Sequence, residues 1–102
     1  MDACNKPYIK VRKALFSLGS VVATRGASSC LDVCGLGGLA LLVRHQTGDW
    51  GQLCEEDRKS NDHALKSGLR LLSSYRMPHG QTIWLISEAD RSVTTLMLPE
   101  EY

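Results

Sequence analysis

Cysteine and histidine are the residue types here best suited to holding a metal, and the 102-residue chain has four of the first and three of the second. Cys30 and Cys34 are four apart, so they share one face if their segment is helical. Cys54 and His45 would then complete a four-ligand zinc set. The paired Cys-x-x-Cys spacing of common structural zinc knuckles is missing, and a reduced cysteine packs well as a small apolar residue. The expectation is therefore no metal and no cofactor. Gly35-Leu36-Gly37-Gly38 lacks the Lys-Ser/Thr that completes a phosphate-binding loop, and reads as a helix breaker.

Acid–base chemistry is the other option. Cleaving RNA needs a base for the 2′-hydroxyl, an acid for the leaving oxygen and a cation for the phosphorane. Glu88, with Arg91, Arg70 or Arg76 and one of His45, His63 or His79, has the required groups. The alternative function is thus a ribonuclease or toxin-like enzyme using Glu88, Arg91 and His45. Against it, no histidine falls on the last strands, and Glu88 and Arg91 equally suit a partnership across the Ala89-Asp90 turn. No Gly-x-Ser-x-Gly elbow marks a serine hydrolase. The balance favours a protein without catalytic activity.

Candidate binding residues fall in three places: Asp49 and Trp50 between glycines, the acidic run Glu55, Glu56 and Asp57, and the terminal Glu100, Glu101 and Tyr102. Aromatic residues in loops often anchor partners. Carboxylates grouped in a near-neutral chain can imitate nucleic-acid phosphates. For Trp50 there is also a plain structural reading, in which it closes one end of the core while Asp49 caps the turn into the next helix.

The elements that must position these groups centre on the C-terminal third. Leu69–Met77, Thr82–Glu88 and Ser92–Leu98 are apolar-rich runs separated by Pro78-His79-Gly80-Gln81 and Ala89-Asp90-Arg91, which suits an antiparallel meander over residues 69–98. Alternation places Thr82, Trp84, Ile86 and Glu88 on one face of the middle run and Ile83, Leu85 and Ser87 on the other. Both faces are partly apolar. Either a partner chain, in a homodimer, covers the face that helices leave open, or Trp84 lies against the C-terminal tail. A short strand near Val21–Thr24 extends the sheet to four.

Between them the chain reads as helical. Ala27–Val33 starts from a Ser28 or Ser29 cap, and Gly38–Gln46 presents Leu36, Leu39, Ala40 and Val43 to the sheet as the most buried helix. Glu55–Ser67 has acids at its start, Lys66 near its end and Gly68 beyond it, with Glu55–Lys59 and Asp62–Lys66 as i,i+4 pairs on a surface helix. The fold class is α+β: a three- to four-stranded antiparallel sheet covered on one face by two or three helices. Residues 1–102 form a single domain, with 1–13 a flexible or edge arm.

A net charge of +1, from twelve Lys and Arg against eleven Asp and Glu, gives no broad pull on nucleic acid. No apolar run approaches the roughly 20 residues that span a bilayer, and no signal-peptide block follows the early charges, so a cytoplasmic chain with reduced cysteines is expected.

Three blocks together carry a resemblance: Leu18–Thr24, Arg44-His45-Gln46-Thr47-Gly48-Asp49-Trp50-Gly51, and Arg70–Tyr102 with its Glu88-Ala89-Asp90-Arg91-Ser92 and Leu98-Pro99-Glu100-Glu101-Tyr102. Over roughly residues 14 to 102 the chain resembles a family of small bacterial proteins of plasmids and integrative elements. They are described as plasmid-related proteins and sometimes as a type I restriction methylase subunit. Arg25 stands where the family has proline, and Cys30 and Cys34 lie in a helix usually rich in Ala and Leu. The chain has no Asn-Pro-Pro-aromatic methylase motif and no methyl-donor loop. The resemblance carries no residue roles; it implies an accessory protein of a mobile genetic element. The functional expectation is a small non-enzymatic interaction protein that binds a protein partner, in the anti-defence reading a nucleic-acid-binding host defence complex.

Overall fold

Proline and glycine in Pro78-His79-Gly80-Gln81 reverse the chain between two strands, β2 (Leu71–Arg76) and β3 (Thr82–Ser87), with Gly80 at φ 98°. They pair antiparallel from Leu71↔Ser87 to Arg76↔Thr82, and β3 pairs in turn with β4 (Val93–Met97) from Ser87↔Thr94 to Trp84↔Met97. The computed structural model describes residues 13–35 and 37–102. The expected arm, residues 1–13, falls almost wholly outside them, as does Leu36.

The fourth strand, β1 (Ser20–Ala23), lies beside β4 in the order β1-β4-β3-β2 but runs parallel to it. The sheet is therefore mixed, which corrects the all-antiparallel expectation. A parallel neighbour needs a long crossover. Three helices and two strands between β1 and β4 supply it.

Those helices are α1 (Arg25–Cys34), α2 (Gly38–Gln46) and α3 (Glu55–Ser67). The cap of α1 is Thr24, whose hydroxyl accepts from the Ala27 N–H at 3.1 Å, so Ser28 and Ser29 lie inside the helix rather than capping it. Gly35 ends α1 at φ 68° and Gly68 ends α3 at φ 69°. The Glu55–Lys59 pair forms at 3.5 Å on the exposed side of α3.

Alternate residues of the strands meet the helices. Tyr75, Ile83, Leu85 and Leu96 pack with Ala27, Cys30, Leu31 and Leu41 in the larger core. A smaller one gathers Trp50, Ala64 and Leu71, with Phe16, Leu53 and Leu65 against it. The orientation of α2 differs from expectation. Leu41 and His45 are buried, whereas Leu39 is 73% exposed and Val43 51%. Since α2 is apolar nearly all round, its sequence does not say which stripe faces inward, and the structure turns Leu41 and His45 in.

Both edges of the sheet are visible. On β2, Gly51 bridges Ser74 in parallel, the Gln52 N–H donates to the Ser74 carbonyl at 2.7 Å, and the Ser74 N–H donates to the Trp50 carbonyl at 3.1 Å. Asn61 of α3 continues that cover. Its amide donates to the Leu72 carbonyl at 2.6 Å and its oxygen accepts from the Leu72 N–H at 3.1 Å. One buried side chain thus replaces a neighbouring strand. At the other edge, all four residues of β1 are exposed.

Candidate functional site

Polar residues stand within the inward stripe of the sheet, Ser73 on β2, Ser87 on β3 and Thr94 on β4, all fully buried. They surround His45 of α2, which has no exposed surface. His45 Nδ1 lies 2.6 Å from Ser73 Oγ and Nε2 2.9 Å from Ser87 Oγ. Ser87 Oγ is 2.6 Å from Thr94 Oγ1, whose hydroxyl donates to the Leu18 carbonyl at 2.8 Å.

That carbonyl can only accept, and this sets the direction of every proton behind it. Thr94 donates to Leu18, Ser87 donates to Thr94, and His45 donates from Nε2 to Ser87. Nδ1 is left to accept from Ser73. The rings of Phe16 and Trp50, each in a T-shaped contact with centroids 5.2 and 5.8 Å from that of the imidazole, pack beside it. Burial, and then the nearby Arg91 charge, lower the His45 pKa to about 4. The ring is neutral, with both nitrogens bonded inside the core.

His45 does not form an open constellation with Glu88 and Arg91. The Arg91 guanidinium donates to the carbonyls of Leu69 at 2.6 Å, Glu88 at 3.0 Å and Ala64 at 3.1 Å, and lies over the Phe16 ring at 5.6 Å. It closes the C-terminal end of α3. The Glu88 carboxylate meets Arg70 at 3.5 Å, rather than Arg91 across the turn. His63 lies beside Ser67 on the exposed side of α3. Sealed from solvent, His45 is out of reach of a phosphodiester, so these three residues do not assemble the nuclease arrangement.

The expected binding residues are dispersed. Asp49 accepts from Arg44 at 2.7 and 3.3 Å, and its carbonyl accepts from the Tyr75 hydroxyl at 2.6 Å. The Arg44 guanidinium also covers the Tyr75 ring at 4.5 Å, and its bond to Asp49 holds its pKa above the ordinary value. Trp50 is 6% exposed and stacks on Phe16, so it closes the smaller core rather than presenting its ring to a partner. This loop and α3 flank a groove of about 440 Å³ lined by Gly48, Asp49, Trp50, Gly51, Arg58 and Asp62.

Glu55, Glu56 and Asp57 are exposed on the first turn of α3. Glu101 is drawn elsewhere: it accepts from the Thr24 hydroxyl at 2.5 Å, the Leu98 N–H at 2.8 Å and the Gly26 N–H at 3.1 Å. The Thr24 bond, with those N–H groups, holds its carboxyl below the usual range. Glu100 is exposed in the same short turn. Tyr102 lies on the sheet face away from the helices, with its ring 5.9 Å from Trp84 and its hydroxyl accepting from Arg70 at 3.0 Å. The tail therefore lies against Trp84, as one of the two expectations had it.

The four residues weighed as a zinc set, Cys30, Cys34, Cys54 and His45, do not meet. Cys54 is exposed at the N-cap of α3, and both His45 nitrogens are occupied. Cys30 and Cys34 meet His79 of the β2–β3 turn instead. Sequence spacing shows that the two cysteines share a face. It does not show that a turn 45 residues further on lies across them.

Among the described residues, no single helix is long and apolar enough to cross a membrane. No protein family, curated protein or solved structure matches this chain.

Proposed function

We propose that this protein works by binding other proteins, without chemistry of its own, and that the outward face of α2 joins two copies of the chain into the binding unit. One observation carries the reading: α2 is apolar on two sides, and only one is used among the described residues. Leu41 and His45 are spent on the core, while Leu39 and Val43, four residues apart, stand 73% and 51% exposed. Val33, at the end of α1 just before the corner into α2, is 74% exposed. A helix apolar on two opposite sides belongs in an interior, and the described residues supply only half of one.

The occupant we assign is a second copy of this chain. Leu39, Ala40 and Val43 form an uncharged stripe, and Ala40 lets a second helix approach closely. Arg44, next to Val43 in the chain, is engaged by Asp49. A two-fold axis can therefore bring the stripe against itself with no charge opposed. The resemblance to mobile-element proteins supports a setting in which the dimer then acts on a host protein, with Glu55, Glu56 and Asp57 suited to a basic partner surface.

The test is molar mass in solution over a range of concentrations, for the natural chain and for Leu39→Glu with Val43→Glu. Both side chains are exposed, so the double variant should fold normally. The expected result is a dimer that the double variant converts to monomer with an unchanged circular dichroism spectrum. A natural chain that stays monomeric at every concentration, or a dimer untouched by the two glutamates, overturns the assignment.

A further inference from the structure

Cys30, at the margin of the larger core, Cys34, packed against it, and His79 of the β2–β3 turn bring three metal-binding side chains together. The i,i+4 spacing puts both sulfurs on one side of α1, and the β2–β3 turn lays the imidazole across them. Cys30 Sγ is 3.6 Å from His79 Nε2, and Cys34 Sγ is 3.1 Å from Nδ1. One ligand atom from each residue lies within 4.8 Å of the other two.

We infer that these three residues are a binding site for zinc, with two thiolates and one imidazole as ligands and a fourth position open to solvent. Zn–S and Zn–N bonds of about 2.3 and 2.0 Å at a tetrahedral angle separate sulfur from nitrogen by about 3.5 Å. The Cys30–His79 pair already stands at that spacing. One imidazole nitrogen must serve both sulfurs, and His79 is exposed in its turn, so its ring can rotate towards them. Gln81 Oε1, 3.2 Å from Nε2, is placed to hold the ring or to approach the open position.

Soft sulfur donors with imidazole select zinc over magnesium or calcium, whose ligands are oxygens. The carboxylates that hard cations need are not part of the cluster. Bound there, zinc would fasten the C-terminal half of α1 to the hairpin turn.

The experiment uses the full chain, reduced with a non-chelating phosphine and stripped of metal, then titrated with Co²⁺ and back-titrated with Zn²⁺. The expected result is a one-to-one complex showing thiolate-to-cobalt charge-transfer and visible ligand-field bands, with Zn²⁺ displacing Co²⁺. Cys34→Ser, at a half-buried position, and His79→Gln, at an exposed one, should each weaken binding on the order of 100-fold, while Cys54→Ser leaves it unchanged. Zn²⁺ should raise the melting temperature of the natural chain and not that of His79→Gln. No thiolate band at micromolar Co²⁺ would show a Cys34–His79 hydrogen bond and nothing more. Binding that survives both variants, or is lost in Cys54→Ser, overturns the assignment equally.

Discussion

His45 Nδ1 accepts the hydroxyl of Ser73 across 2.6 Å in the interior of the molecule, between α2 and the sheet. A histidine held neutral in this way couples stability to pH. Unfolded, its ring takes up a proton near its ordinary value of 6.5; folded, only near 4. Between those values the unfolded chain holds more protons. The contribution is whole above pH 6.5, falls as pH drops through that value, and levels off below 4. Its full size is about 3 kcal/mol. Urea midpoints measured from pH 7.5 to 4 should show that slope. His45→Leu should flatten it and lower stability at pH 7 by about 2 kcal/mol, because Ser73 and Ser87 lose their partner.

Arg91 combines a φ of 60° with a guanidinium spread over several carbonyls. Arg91→Ala should cost about 2 kcal/mol, and Arg91→Gly about 1 kcal/mol less than that, because glycine relieves the left-handed backbone. Self-association should be unchanged in both. Thermal unfolding and light scattering on the same samples separate the two effects. A loss of dimer without a loss of stability would give Arg91 an interface role that its bonds do not indicate.

Asn61 holds the edge of β2 with one donor and one acceptor. Asn61→Ala should cost about 2 kcal/mol and speed exchange of the Leu72 amide hydrogen. Asn61→Asp should be worse, since a carboxylate cannot donate to the Leu72 carbonyl. Amide exchange at Leu72, compared with a central residue such as Leu85, reads the local effect directly.

Gly51 has a φ of 77°, and a Cβ there would overlap the Ser74 carbonyl oxygen and press on the Tyr75 ring. Gly51→Ala should therefore destabilise by about 3 kcal/mol or more, read from the urea midpoint.

The meander and α3 could be read from the sequence because their signals are local. Pro78 and Gly80 dictate a reversal, alternation marks the strands, and Gly68 ends the helix just after Lys66. The direction of β1 could not, since four exposed residues carry no mark of whether their neighbour runs parallel. The facing of α2 could not either: apolar residues surround it, and the choice between the Leu41 and Leu39 stripes is settled by packing. A signal for the His45 network was present but easy to pass over. Ser73 and Ser87 break inward stripes that are otherwise Leu71 and Tyr75, or Ile83 and Leu85. A polar residue in such a position needs a buried partner. His79 carried no signal of its own, because its meeting with Cys30 and Cys34 is purely tertiary.

The proposed role depends on α2 completing its apolar surroundings with a second copy of the chain. Amide-resolved NMR on a dilution series tests this most directly. Concentration-dependent shifts should concentrate on Val33, Leu39, Ala40 and Val43, with β2 and β3 unmoved. Shifts confined to the Trp84 and Tyr102 face of the sheet, or none at any concentration, would contradict it.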